Sequence, residues 1–250
     1  MNIRKVVLLG LAIISFSAYA QDEDVDTRKD VVGELTIYNS GLWVKPVRTP
    51  KVKGDIYLFN NWKNLATIIS GKGKKYMLSN LNYDTNQDRF VTKISPDSVF
   101  VFNPQSIKQV KVNNKLFKRY LKNDSYDYFE LVAFGEGKEI LKKHFKIVKK
   151  GVKDPFTNTY KSGRYILKTK YFFNSEEGIR EFKLRKKSFL NCFGEDSKQV
   201  KRIITKYKLS IKKDLDIVKI FKFYKKNKIE KRYKRLGLYL FFYFCFNKHN

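Results

Sequence analysis

Apolar and polar positions alternate through the middle of the chain. DIYLFNN (55–61) and NLATIIS (64–70) each hold a short apolar run that predicts a strand. KKYMLSNLNYDTNQDRFVTKI predicts a hairpin, with one strand over 76–83, a turn over 84–88 and a second strand over 89–94. DSVFVF (97–102) is rich in β-formers. In IKQVKVNNKLFKRYL, Ile107, Val110 and Val112 lead into Asn113-Asn114, and asparagine tolerates the left-handed backbone of a two-residue turn. YDYFELVAFGEGKEILKKHFKIV gives two further runs around Gly135-Glu136-Gly137. After a looser stretch (150–162), GRYILKTKYFF and IREFKLRKKSF continue the pattern. Turn signals recurring at about ten-residue intervals favour an antiparallel body over alternating βαβ units.

Near residue 190 the period changes. Val200, Ile203, Ile204 and Tyr207 fall at i, i+3, i+4 and i+7, one stripe of a helix, with Lys and Arg on the other faces. Asp196 or Ser197 is placed to cap it. A second helix is predicted over 212–224, with Ser210 as its cap and Ile217, Ile220, Phe221 and Tyr224 as its apolar face. The pattern therefore predicts a mainly β fold, an antiparallel sandwich or partly open barrel over 50–187. Two C-terminal amphipathic α-helices (188–227) should pack on it.

The two ends read differently. Residues 1–20 have a basic start (Arg4, Lys5), an apolar core from Val6 to Ile14 and a small-x-small site at Ala18-Tyr19-Ala20, the layout of a secretory signal peptide. That core is too short for the roughly 20 residues of a transmembrane helix. An acidic, flexible segment (21–49) would follow. At the other end, 228–250 form a basic and aromatic tail with eleven consecutive apolar residues or glycine over 236–246. Three readings of that run stand: an interfacial membrane segment behind basic residues, a terminal strand, or translated sequence beyond an ancestral stop. Cys192 and Cys245 could pair after export, or serve as small buried hydrophobes.

Charge adds a candidate function. The chain has 53 Lys+Arg against 24 Asp+Glu, a formal net charge of +29. Over 198–235 there are 16 basic and 3 acidic residues. Such a surface attracts anions at low salt, and Lys198, Lys201, Arg202, Lys206, Lys208, Lys212 and Lys213 are the candidate ligand-binding residues. The bland reading stands beside it. With 42 Lys and 11 Arg, the chain lacks the guanidinium forks of specific phosphate and base recognition. Lys, Phe, Ile, Asn and Tyr would also rise together under an A/T-rich base composition. The export signal argues against a nucleic-acid partner.

Catalytic chemistry finds little support. His144 and His249 are the two histidines, and no zinc, hydrolase-elbow or P-loop motif is present. Asp84, Asn86 and Asp88 imitate the start of a calcium loop, but Arg89 stands where glycine is wanted and Ser95 where the bidentate Glu is wanted. A turn built of Asx residues is the favoured reading. Glu130, Glu136 and Glu139 are candidates for paired carboxylates only in the sense that such pairing is spatial. Neither a cofactor nor a metal is called for.

LNYDTNQDRFVTKISPDSVFVF, IKQVKVNNKLFKRYL and YFELVAFGEGKEILKKHFKIV, in that order, followed by a Lys-rich helical stretch, resemble a family of uncharacterised secreted envelope proteins of Gram-negative bacteria. The shared elements are an N-Y-x(n)-D-x-F segment, a DSVFVF-like strand and an IxxVxVNxxxF hairpin, and they span about residues 54–227. The resemblance implies export to the periplasm or outer surface, and no activity. The expectation is thus a non-catalytic binding or structural module. Its partner would be an anionic lipid, glycolipid or polysaccharide, or another envelope protein, with membrane contact by the C-terminal tail. The alternatives are an enzyme acting on envelope polymer through paired carboxylates and a small outer-membrane barrel.

Overall fold

The computed structural model describes residues 41–44, 52–95 and 98–235. The predicted signal peptide, most of the predicted acidic segment and the apolar run over 236–246 lie outside them. Fifteen strands are described: β1 Gly41–Val44, β2 Val52–Lys53, β3 Ala66–Ser70, β4 Lys75–Leu78, β5 Leu81–Asp84, β6 Arg89–Ser95, β7 Ser98–Phe102, β8 Ile107–Val112, β9 Lys115–Lys122, β10 Ser125–Gly135, β11 Lys138–Lys149, β12 Val152–Lys153, β13 Tyr160–Lys161, β14 Gly163–Ser175 and β15 Gly178–Phe182. Three helices follow: α1 Lys186–Asn191, α2 Ser197–Lys206 and α3 Asp214–Arg235. The fold is mainly β with C-terminal helices, as the pattern predicts.

The large sheet runs β15-β14-β11-β10-β9-β8-β3-β4, with β2 parallel beside the start of β14. Its two ends stay apart, so these strands form no closed barrel. A second sheet, β1-β7-β6-β5, lies over one half of it. The turns are those the residues favour. Asn113 and Asn114 have φ of 48° and 63°, and Glu136 and Gly137 have 54° and 72°, the left-handed pairs of tight hairpins.

β10 organises the molecule. Its first half pairs with β9 and its second half with β11, and Glu130 alone is registered on both sides, opposite Phe117 and Lys142. One face of the large sheet therefore carries two apolar cores. At the β9 end, Ile68, Val110, Phe117 and Tyr128 pack under Tyr83, Phe90, Phe100 and Phe102 of the second sheet. At the β11 end, Ala133, Ile140, Phe173 and Phe182 pack under Phe189, Phe193, Val200, Ile203, Ile220 and Tyr224 of the helical segment. Each fully buried aromatic of this kind contributes roughly 1.5–3 kcal/mol. Between the cores the same face turns polar: Lys142, His144 and Lys146 succeed Ile140 at every second residue of β11.

Three expectations are corrected. Residues 55–61 are not a strand. They follow β5 through Leu58 N–H to Tyr83 O (2.9 Å) and the Tyr57–Asp84 bridge. The Asn82 side chain takes both backbone groups of Phe59, at 3.0 and 2.9 Å, in place of a neighbouring strand. The predicted strand 76–83 breaks at Ser79-Asn80 into β4 and β5, which belong to different sheets. Asn80 accepts from the Thr92 hydroxyl at 2.7 Å and so anchors the crossing. The run after Phe182 does not stay extended: α1 turns Phe189 inward onto Phe182 and Phe193.

Candidate anion-binding site

α2 forms because Val200, Ile203 and Ile204 make one stripe, and that stripe is buried. Ser197 and Gln199 are half-buried beside it, and the rest of the helix faces water. Lys198, Lys201, Arg202 and Lys206 are exposed, and Lys198, Arg202 and Lys206 stand at i, i+4 and i+8 on one line. Like charges at that spacing disfavour a helix by about 0.2–0.5 kcal/mol per pair, and a cation in the first turn opposes the helix dipole. Local helix physics therefore does not account for this row.

α3 crosses beside it. Asp214 and Asp216 sit in its first turn. Asp216 accepts the Ser210 N–H at 3.0 Å while the Ser210 hydroxyl accepts the Lys212 N–H at 3.3 Å, so the predicted cap tightens the turn before the helix. Ile217, Ile220, Phe221 and Tyr224 are buried, the predicted apolar face. The helix then runs eleven residues past Tyr224, to Arg235. Side chains of that extension reach back: Lys228 to Asp196 (2.7 Å), Lys231 to Gln199 (3.4 Å) and Arg232 to Glu136. Asp196 makes no cap bond to α2. Its carboxylate accepts the Tyr224 hydroxyl at 2.6 Å and pairs with Lys228. Burial alone would raise the Asp196 pKa, but Lys228 and Tyr224 outweigh it and hold it below the ordinary value. Burial and Asp196 together push the Tyr224 hydroxyl up. This tether fixes α3 along α2.

The two helices enclose an open cleft of about 480 Å³ whose lining is mixed: the cations Lys198, Arg202, Lys206, Lys231 and Lys234 stand there with the carboxylates of Glu195, Asp196 and Glu230. A second depression of about 560 Å³ lies on Lys198, Lys201, Arg202, Thr205 and Lys206. Four of the predicted site residues are thus brought together. Lys208, at φ 51° just past α2, and Lys212 and Lys213 in the turn before α3 line neither depression. Lys231 and Lys234 were missed, because the i, i+3, i+4 apolar run ends at Tyr224, and over 225–235 only Ile229 and Tyr233 interrupt the polar residues. Lys198, Lys201 and Arg202 make no ion pair among the described residues, and Lys206 lies over the Tyr207 ring at 5.3 Å.

The polar seam between the cores is the other concentration of charge. Glu130 accepts from Lys115 Nζ at 2.7 Å and from His144 Nε2 at 2.5 Å, and both Glu130 and His144 are buried. Burial would raise the Glu130 pKa, but His144 and Lys115 overcome it and bring the value to about 2. Lys142 joins Asp214, which also accepts the Tyr171 hydroxyl at 2.8 Å. Lys146 reaches Asp55 at 3.1 Å. Asp88 accepts the Tyr128 N–H at 3.0 Å, pairs with Lys143 at 2.7 Å and takes the Tyr83 hydroxyl, filling the gap where β10 leaves β11. Asp84 Oδ1 instead accepts the Asn86 and Gln87 N–H groups at 2.8 and 3.0 Å, an Asx turn. Burial raises the Asp84 pKa. Glu136 is taken by Arg232 and Glu139 by Asn174 at 2.8 Å, so each of the three candidate glutamates is held by a different partner. The seam holds elements together, and among the described residues no nucleophile joins the Glu130–His144 pair.

Cys192 is buried as a free thiol, its pKa raised by burial, and Cys245 lies outside the described residues. Among the described residues no helix is long and apolar enough to cross a membrane, and no group of His, Cys, Asp and Glu is arranged to hold a metal. No protein-family model, curated protein or solved structure matches this chain.

Proposed function

We propose that the protein is an exported, non-catalytic envelope component that binds an anionic partner, bearing phosphate or carboxylate groups, on the outer face of α2 and the cleft it shares with α3. One observation carries the reading. Lys142, Lys143 and Lys146 of β11 are each matched to a carboxylate, whereas Lys198, Lys201 and Arg202 are gathered on one face of α2 without an ion pair among the described residues. Anions such as a phosphorylated glycolipid or an acidic polysaccharide would supply the missing charge. The open cleft suits a polymer or a headgroup lying across the surface better than an enclosed small molecule.

A salt titration tests this. Binding of the protein to a soluble acidic polysaccharide is followed from low to high ionic strength. Affinity should be measurable at low salt and fall steeply as the Debye length shrinks from about 30 Å to about 8 Å. No affinity at the lowest ionic strength would rule the function out.

A further inference from the structure

The ribbon made by the ends of β11 and β14, flanked by β2 at Gly163 and Arg164, runs on into the β12–β13 hairpin, which carries an exposed apolar tip. Phe156 is 96% exposed, and Val152 and Tyr160 are each 62% exposed. A floppy loop could expose such groups trivially, but this tip is braced. Asp154 Oδ1 accepts the N–H groups of Phe156 and Thr157 at 3.0 and 3.1 Å. Asp154 N–H donates to Thr159 O at 2.9 Å, and Asn158 N–H to Asp154 O at 3.0 Å. The Thr157 and Thr159 hydroxyls meet at 2.7 Å. At the base, a Cβ on Gly151 would lie 2.3 Å from Lys161 O and 2.6 Å from the Tyr160 hydroxyl oxygen. A Cβ on Gly163 would lie 2.9 Å from Lys149 O. The two glycines let the strands and the Tyr160 ring close on each other, and the turn holds Phe156 outward.

Charge says what the tip meets. Lys149, Lys150, Lys153 and Lys161 flank it, Arg164 and Lys168 follow along β14, and Asp154, committed to the turn and 3.7 Å from Lys161, is the one acid over 147–168. Val152 pairs with Lys161 and Lys153 with Tyr160, so each face of the hairpin offers one apolar group and one lysine. A flat protein partner would select one face, whereas a two-sided finger with an aromatic end suits entry tip first into a layered medium, apolar inside and anionic at its surface. We propose that residues 147–168 form a finger that docks on an anionic lipid bilayer, Phe156 and Val152 entering the headgroup–acyl boundary while the lysines meet lipid phosphates. This surface is separate from α2 and does not depend on the function proposed there.

The test places an indole at the tip. Phe156→Trp protein is mixed with vesicles of phosphatidylcholine, with or without phosphatidylglycerol, containing brominated acyl chains, and its fluorescence is compared with that of the parent. The finger predicts a blue shift and bromine quenching of the added indole in the anionic vesicles only. Phe156→Ser, at a position with no packing to lose, should lower flotation with those vesicles by about tenfold, the loss of one buried apolar side chain. Vesicle-bound protein whose added indole is unquenched overturns the proposal. So does equal quenching without phosphatidylglycerol, unchanged flotation of Phe156→Ser, or no association at all.

Discussion

β11 and α2 are both lysine-rich, and they use lysine in opposite ways. On β11, Lys142, Lys143 and Lys146 each reach a carboxylate of a different element: Asp214 of α3, Asp88 of the β5–β6 turn and Asp55 of the 55–61 segment that lies alongside β5. Removed from water, they tie the helical core, the second sheet and the edge of the large sheet to one strand. On α2, Lys198, Lys201 and Arg202 remain in water, repel one another and tie nothing. A net charge of +29 hides this division. A cation that is buried and paired belongs to the fold, and removing its partner costs stability. A cation that is exposed and unpaired costs the fold nothing to lose, so its clustering calls for a ligand.

The sharpest break of that comparison is Glu130→Ala, which leaves the buried His144, and the half-buried Lys115, without their shared partner. It should lower stability by about 3–5 kcal/mol, read as a fall in the urea midpoint at constant slope. Acid probes the same group without mutation. The folded pKa of Glu130, about 2, lies below its ordinary value of 4.5, so its contribution is full above pH 4.5 and is lost as pH falls from there toward 2. Integrated over that shift, the loss is about 3 kcal/mol. Glu130→Gln should flatten the stability–pH curve in that window, and an unchanged curve would remove Glu130 from the account.

The inter-helix tether is smaller. Tyr224→Phe removes the hydroxyl from Asp196 and should cost about 1 kcal/mol by thermal unfolding. Smallest of all, replacing both Lys201 and Arg202 by Gln should move stability by less than about 0.5 kcal/mol. Relief of like-charge repulsion could even make the change favourable.

Much of this architecture was legible in the chain. The period-2 runs and Asn-Asn or Glu-Gly turns gave β8 to β11 and β14, and the i, i+3, i+4 stripes gave α2 and the first half of α3. What escaped was non-local. Whether 55–61 pairs as a strand depends on the Asn82 side chain occupying Phe59. Where β10 leaves β9 for β11 is a property of register rather than composition. Glu130 and His144, fourteen residues apart and each flanked by apolar or basic neighbours, look like isolated polar residues until β10 and β11 pair. The basic α2 face could be read because exposed cations need no partner to be recognised. The contribution of Lys231 and Lys234 could not, since the apolar stripe of α3 stops at Tyr224, short of the turns that carry them.

The central claim is that the α2 cations bind and the β11 cations build. The affinity of a Lys201→Gln, Arg202→Gln protein for a soluble acidic polysaccharide at low ionic strength tests it most directly, with its urea midpoint measured alongside. The account predicts binding weakened by about tenfold, on the order of 1.4 kcal/mol, at an unchanged midpoint. Undiminished affinity would contradict it.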